Sequence, residues 1–277
     1  MNRSEAFNQK KGFTPADALQ SLERTLNFDE WPLRAQTFVP GFSPSVSRLP
    51  FRLLEGFTLE HETLLPVVST WVGRNYFYSQ LDSHSAFALT VLVGQQSARD
   101  VAEALLLQIV YSQMSSEPRV EFNGLIGDVA VYRHPEPNAS VAFVRNNIGI
   151  NLENYSSNGN KLNLGLLAAS VDDALKEMPT VPYLAEHENR PRILRLQAQD
   201  KSVHPGEKID LDIDIRDNYP PLHLLFNATM GSYNQDPRKN DVWYFRAGFE
   251  RGEARVDLTV VNEMNLMDQA SCRIVVE

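Results

Sequence analysis

Ile209-Asp210-Leu211-Asp212-Ile213-Asp214-Ile215 alternates strictly between aliphatic and carboxylate side chains. Successive side chains of a strand point to opposite faces. The run therefore reads as a β-strand with Ile209, Leu211, Ile213 and Ile215 on a core face and three aspartates on a wet one. His204-Pro205-Gly206-Glu207 before it is a turn. Further short strands are expected at 222–228, 242–248, 255–261 and 271–276, separated by turn-rich segments without helical period. Strands at this even spacing make a sandwich of two sheets. Within it Trp243 and Phe245 alternate with Tyr244, which places the first two inward and Tyr244 outward. The single cysteine, Cys272, excludes an internal disulfide. It falls on the strand face of Ile274 and Val276, where it reads as a buried, inert thiol.

Pro205-Gly206-Glu207, Asp217, Leu222, Gly231-Ser232, Val242-Trp243, Gly252, Val260-Val261-Asn262 and the closing Ile274-Val275-Val276 together resemble the PKD and cadherin-like modules of bacterial surface and envelope proteins. In those families a Pro-Gly-Glu turn opens a strand, an aspartate closes it, a tryptophan sits mid-domain and the last strands end in Ile-x-Val. The resemblance implies an immunoglobulin-like β-sandwich over 192–277 that serves as a spacer or docking module, with a protein or glycan partner. It also implies a place outside the cytoplasm, in the periplasm or on the cell surface. Calcium-binding members of the cadherin-like group carry a clustered acidic motif near the domain junction. Here only Asp217-Asn218 stands in such a place, with Asp241 and Asp268 apart from it. The row Asp210, Asp212, Asp214 fans along a strand instead of converging on a cation. No metal and no cofactor are expected.

Upstream the pattern changes. The first 51 residues read as a helix, with Thr14-Pro15 at its start and Ala18, Leu19, Leu22 and Leu26 on one face, followed by a Pro- and aromatic-rich arm. That arm, over 31–51, is a candidate oligomerisation surface, its aromatics plugged into a core. Residues 52–182 read as an α+β domain, a small antiparallel sheet with two helices on one face. Its strands are expected at 86–94, 119–132 and 139–152, the last two joined at His134-Pro135-Glu136-Pro137-Asn138. Its helices are expected from Ser97 to Met114 and along Leu164, Leu167, Val171, Leu175 and Met178. Residues 183–191 make the linker.

The chain of 277 residues has an ordinary globular composition and a formal charge of −9. It shows no basic stripe that would neutralise phosphates, so nucleic acid is not an expected partner. No apolar run approaches the ~20 residues that cross a bilayer. Met1 to Leu33 lacks the apolar stretch of a signal peptide, in tension with the compartment that the resemblance implies.

Catalytic constellations are sparse. The six histidines stand alone, without a His-x-x-x-His or a Cys/His cluster. Gly94-Gln95-Gln96-Ser97 has neither the glycines nor the lysine of a phosphate-binding loop. The residues that look most able to hold a ligand are Arg145, Asn147 and Asn151, whose alternation along a single strand would project them from one face to hydrogen-bond a glycan, peptide or carboxylate. Trp71 with the cluster Tyr76, Phe77 and Tyr78 forms a second candidate, an aromatic patch. The expectation is a non-enzymatic binding or assembly protein. The alternative is a hydrolase of polysaccharide or peptide, which needs two carboxylates across a cleft. Glu55, Glu60, Glu62, Asp82 and Asp128 are the acids available for it.

Overall fold

The computed structural model describes residues 37–44, 56–66, 70–80, 85–95, 101, 105, 119–122, 125–132, 140–156, 162–182, 189–236 and 242–277. The chain divides into two compact units, Met1–Ala185 and Glu186–Glu277.

The first unit is built on a seven-stranded antiparallel sheet. Its strands are β2 (Thr58–Leu64), β3 (Trp71–Gln80), β4 (Ser85–Gly94), β5 (Arg119–Phe122), β6 (Val129–Tyr132), β7 (Ser140–Arg145) and β8 (Ile148–Asn154). They lie side by side in the order β2-β3-β4-β8-β7-β6-β5. A separate two-stranded ladder joins β1 (Thr37–Phe38) to β9 (Val181–Pro182). One helix, α1 (Leu164–Lys176), is described in full.

This overturns the expected α+β domain with its small sheet and two helices. The described residues of the unit are nearly all β, with a single short helix described along its length. Of the other expected helix only Val101 and Leu105 are described, helical and buried. The N-terminal helix and most of the arm lie outside the described residues, as does the turn at 134–138. Within the arm, Phe38 and Phe42 are fully buried.

Two of the expected strands are hairpins or parts of them. The run 139–152 breaks at Asn146-Asn147, where Asn146 takes a left-handed φ of 52°. Asparagine tolerates that conformation better than other residues with a Cβ, so the chain reverses there without a glycine. The run 119–132 breaks before Asp128, beside Gly127 at φ 69°. A Cβ on Gly127 would stand 2.9 Å from the Val144 carbonyl oxygen, so both the conformation and the space require glycine.

The sheet has two distinct faces. On the back face Ile148, Ile150, Leu152 and Phe143 are buried, and α1 packs over β7 and β8. The apolar positions Leu164, Leu167, Ala168, Val171 and Leu175 recur every three or four residues, which gives α1 one buried stripe. Asn163 caps it by accepting a hydrogen bond from Leu166 N–H at 3.1 Å. On the front face Leu92, Val129, Val131, Ala142 and Val144 form a core cluster with Val101 and Leu105, and Trp71 and Leu65 pack against its edge.

The second unit is a β-sandwich of two four-stranded sheets. One has the order β10 (Arg192–Ala198), β12 (Lys208–Arg216), β15 (Trp243–Ala247), β14 (Gly231–Gln235). The other has the order β11 (Ser202–Val203), β17 (Met267–Val276), β16 (Gly252–Val261), β13 (His223–Ala228). Ile209, Leu211, Phe245, Val256, Leu258 and Ile274 are among its core residues, and Trp243 packs 4.5 Å from Phe226 between ring centroids. Tyr244 turns outward, under the Lys208 ammonium at 4.1 Å. The aspartates of β12 are met by a cation of the neighbouring strand, with Arg195 2.7 Å from Asp212 and 3.6 Å from Asp214. Cys272 is half-buried against the core, and burial pushes its thiol above its ordinary pKa.

Candidate functional site

Strand registry decides which side chains of the first unit share a surface. Across β8, β4, β3 and β2, Asn151 pairs with Thr90, Thr90 with Asn75, and Asn75 with Thr63. The next row toward the far end of the sheet is Glu153, Ala88, Phe77 and His61. Both rows lie on the front face, beyond the apolar cluster around Leu92.

Three aromatic rings span this region. His61 stacks on Phe77 with centroids 5.1 Å apart and 17° between planes. Tyr155, just past β8, lies 5.9 Å from Phe77. Strands β3 and β8 flank β4 and are therefore two spacings apart, about 9.5 Å. The rings close that distance by leaning over β4, which presents only methyl groups there, at Ala86 and Ala88.

Beside the rings the polar groups are held in place. Glu153 accepts from Tyr155 Oη at 2.8 Å and from Asn151 Nδ2 at 3.1 Å. The hydrogen bond to Glu153, then burial and the carboxylate's charge, push the Tyr155 phenol up to about 12. It remains a neutral donor across the physiological range. Thr90 Oγ1 lies 3.4 Å from Asn75 Oδ1. Asn151 is only 2% exposed, yet its Oδ1 accepts no hydrogen bond from the protein. A buried acceptor without a donor costs about 1–3 kcal/mol. Tyr155 (55%) and His61 are exposed and Glu153 is half-buried, so the strip is open to solvent along one side.

Of the residues singled out in the sequence, Asn151 belongs to this strip. Trp71 lies on the same face but packs against the apolar cluster. Arg145 is on the back face, because the reversal at Asn146-Asn147 pairs it with Ile148. Its guanidinium forks onto Asp172 of α1, with Nε–Oδ1 at 2.7 Å and Nη2–Oδ2 at 2.8 Å, and reaches Asp128 at 2.7 Å. Asp128 also accepts from Asn146 N–H at 2.8 Å. Burial would raise the Asp172 carboxyl, but the hydrogen bonds from Arg145, Gly127 N–H and Lys176 outweigh it and hold the pKa below the usual range. This cluster joins helix to sheet and leaves Arg145 no fork for a ligand.

Asn147 is a clamp. It accepts from Val39 N–H at 2.7 Å and donates to the carbonyls of Val39 (3.2 Å) and Gly94 (3.1 Å). Tyr76 and Tyr78 point to the back face. Tyr76 is fully buried, and Tyr78 stacks on Phe87 at 4.9 Å. Burial, with the negative charge of Glu62 behind it, pushes Tyr78 up to about 12. Among the acids considered for hydrolysis, Glu62 is ion-paired with buried Arg74 and Asp128 with Arg145. Glu60 accepts from Ser79 Oγ at 2.5 Å. Glu55 and Asp82 lie outside the described residues. No group of three or more His, Cys, Asp or Glu side chains that could hold a metal ion occurs among the described residues.

Sequence reasoning missed His61, Glu153 and Tyr155, and took Phe77 only as one of the aromatic cluster with Tyr76 and Tyr78. The period of two held a signal for Phe77, since the residue between Tyr76 and Tyr78 must face the other way. Glu153 and Tyr155 continue the Gly149, Asn151 alternation past the end of the expected strand.

No family model matches the chain, and no curated protein matches it. Among solved structures, a polysaccharide lyase is similar at 9% identity with a TM-score of 0.20, over 79% of this chain. The chain spans about a third of that protein's length (35%). A likeness at that level carries no argument about fold or activity.

Proposed function

We propose that this is a binding protein, and that the front face of its seven-stranded sheet receives a polyhydroxylated ligand of the glycan class. The observation that carries the reading is the aromatic ladder His61–Phe77–Tyr155 running beside a carboxylate already oriented by Asn151 and Tyr155. Sugar rings offer C–H faces that pack on aromatic planes and hydroxyls that need fixed acceptors. Glu153 is an acceptor on this face, held there by Asn151 and Tyr155. Tyr155 stays a neutral donor on this face, and binding is favoured over hydrolysis by the acids that the latter would need. Of these, Glu62 and Asp128 are paired with arginines. The sandwich serves in this reading as a spacer or second docking module. An immunoglobulin-type arrangement is supported by its strand order, which matches the constant-type pattern when β11 is taken as a short extension of the first strand.

Titration of the intact chain with gluco-, N-acetylglucosamine and galacturonate oligosaccharides, followed by calorimetry, tests this. Saturable binding is expected to one class, weakened about tenfold by Phe77→Ala, the worth of one aromatic contact. Glu153→Gln is expected to weaken it to a similar degree. Binding that ignores both substitutions would remove the reading. New reducing ends or unsaturated products in the same mixtures would replace it with an enzyme.

A further inference from the structure

A second surface, in the sandwich, is built for the opposite charge. Antiparallel pairing of β10 with β12 sets Arg192 directly across from Arg216. Like charges at directly opposed positions of a sheet repel. Arg190 precedes Arg192 by two residues, and these three arginines with Asp217 and Asn218 line a groove of about 310 Å³. That volume lies at the small end of ligand pockets.

The one carboxylate in this lining, Asp217, is turned to structural use. Its Oδ2 accepts from Tyr219 N–H at 2.7 Å and its Oδ1 from Asn262 Nδ2 at 2.9 Å. Asn262 Nδ2 also donates to Asn189 O at 2.7 Å, which ties the segment before β10 to the end of β12. The groove is thus braced on two sides. The lining thus holds three guanidiniums and one carboxylate, in a unit that is otherwise mildly acidic. Arg190 and Arg192 hold other contacts within the protein. The Arg216 guanidinium makes no hydrogen bond or ion pair among the described residues.

Guanidinium groups present paired N–H donors in a plane, the geometry that grips a carboxylate, sulfate or phosphate through two oxygens. We propose that this groove binds one oxyanion group of a small ligand, held between Arg192 and Arg216 with Arg190 beside them. This reading stands independently of the sheet face in the first unit.

The test uses the intact chain and three probes, sodium sulfate, sodium phosphate and sodium glucuronate, each against sodium chloride at equal ionic strength. Nuclear magnetic resonance of backbone amides around Asn218 and of arginine Nε–H groups reads binding. Saturable shifts confined to residues 190–192 and 216–218 are expected, and the tightest probe tells a planar carboxylate from a tetrahedral anion. The double substitution Arg192→Gln/Arg216→Gln should weaken binding at least tenfold. Arg216→Lys keeps the charge and loses the fork, and should weaken binding severalfold if the double variant folds poorly. Absence of saturable shifts with all three probes, or undiminished affinity in the folded variants, would overturn the proposal.

Discussion

Arg145 shows how a residue chosen for its chemistry can be claimed by the fold. Its fork is filled by Asp172 and its remaining nitrogen by Asp128, both almost fully buried. Removing one partner of such a pair leaves a charge without compensation, at a cost of about 3–5 kcal/mol. Asp172→Asn is expected to lose that much stability at pH 7 by chemical denaturation. The folded carboxyl titrates below its unfolded value, so its contribution is complete above about pH 4 and fades as the pH falls through the folded pKa. The parent and Asp172→Asn should therefore draw together at pH 3, and a gap that stays constant from pH 7 to pH 3 would contradict this account. The identity of that partner was not legible in the residues around Arg145, because Asp172 lies 27 positions later on a helix. The sequence placed Asn151 on one face with Arg145 by taking the strand as continuous through Asn146-Asn147, and the reversal there sends Arg145 to the other face.

At the scale of elements, the strands that the alternation of side chains announces are the ones half in contact with a core. Strand β12 is one; β4, buried on both faces, was marked instead by its continuous apolar run, and the spacing of Leu164, Leu167, Val171 and Leu175 marked α1 equally well. Strand β2 announced nothing, since Thr58–Thr63 is exposed along its whole length and carries no apolar face. It survives as an edge by pairing with β3, and its charged residues discourage a further strand from joining it. The hairpin β7–β8 was hidden because its turn contains neither glycine nor proline. That turn also reaches beyond its own sheet. Asn147 supplies the donor and acceptor that a neighbouring strand would supply to Val39, which is fully buried. Asn147→Ala should cost about 2 kcal/mol by leaving the Val39 N–H and the Gly94 carbonyl without this partner, while the Val39 carbonyl keeps its bond from Gly41 N–H. Amide exchange at Val39 should accelerate well beyond that at the β4–β8 pairs. Equal protection of Val39 in the variant would show that the side chain does not hold the segment.

For the molecule as a whole, each unit has a core of its own. The sandwich buries Phe245, Ala254, Val256, Leu258, Val260 and Ile274 to less than 5% exposure among residues that all fall after Glu186. A fragment of residues 186–277 is expected to fold alone and to unfold in one cooperative transition, as single domains of this size do. Dispersed amide resonances with a sigmoidal denaturation curve would confirm it, and a collapsed, uncooperative fragment would refute it. This half was the more legible because sandwich strands carry their period locally, whereas the seven-stranded sheet is closed by partners far apart, β4 lying against β8. The ladder of β1 with β9 takes that separation furthest, joining Thr37 to Pro182 and Phe38 to Val181. During synthesis, Phe38 leaves the ribosome long before its partner is made, roughly 7–30 s earlier at 5–20 residues per second. The first unit therefore passes through a period in which that ladder cannot form at any rate of folding. Chaperones that shelter nascent chains have their widest opportunity there, and synonymous codons that slow translation between residues 39 and 180 would lengthen it.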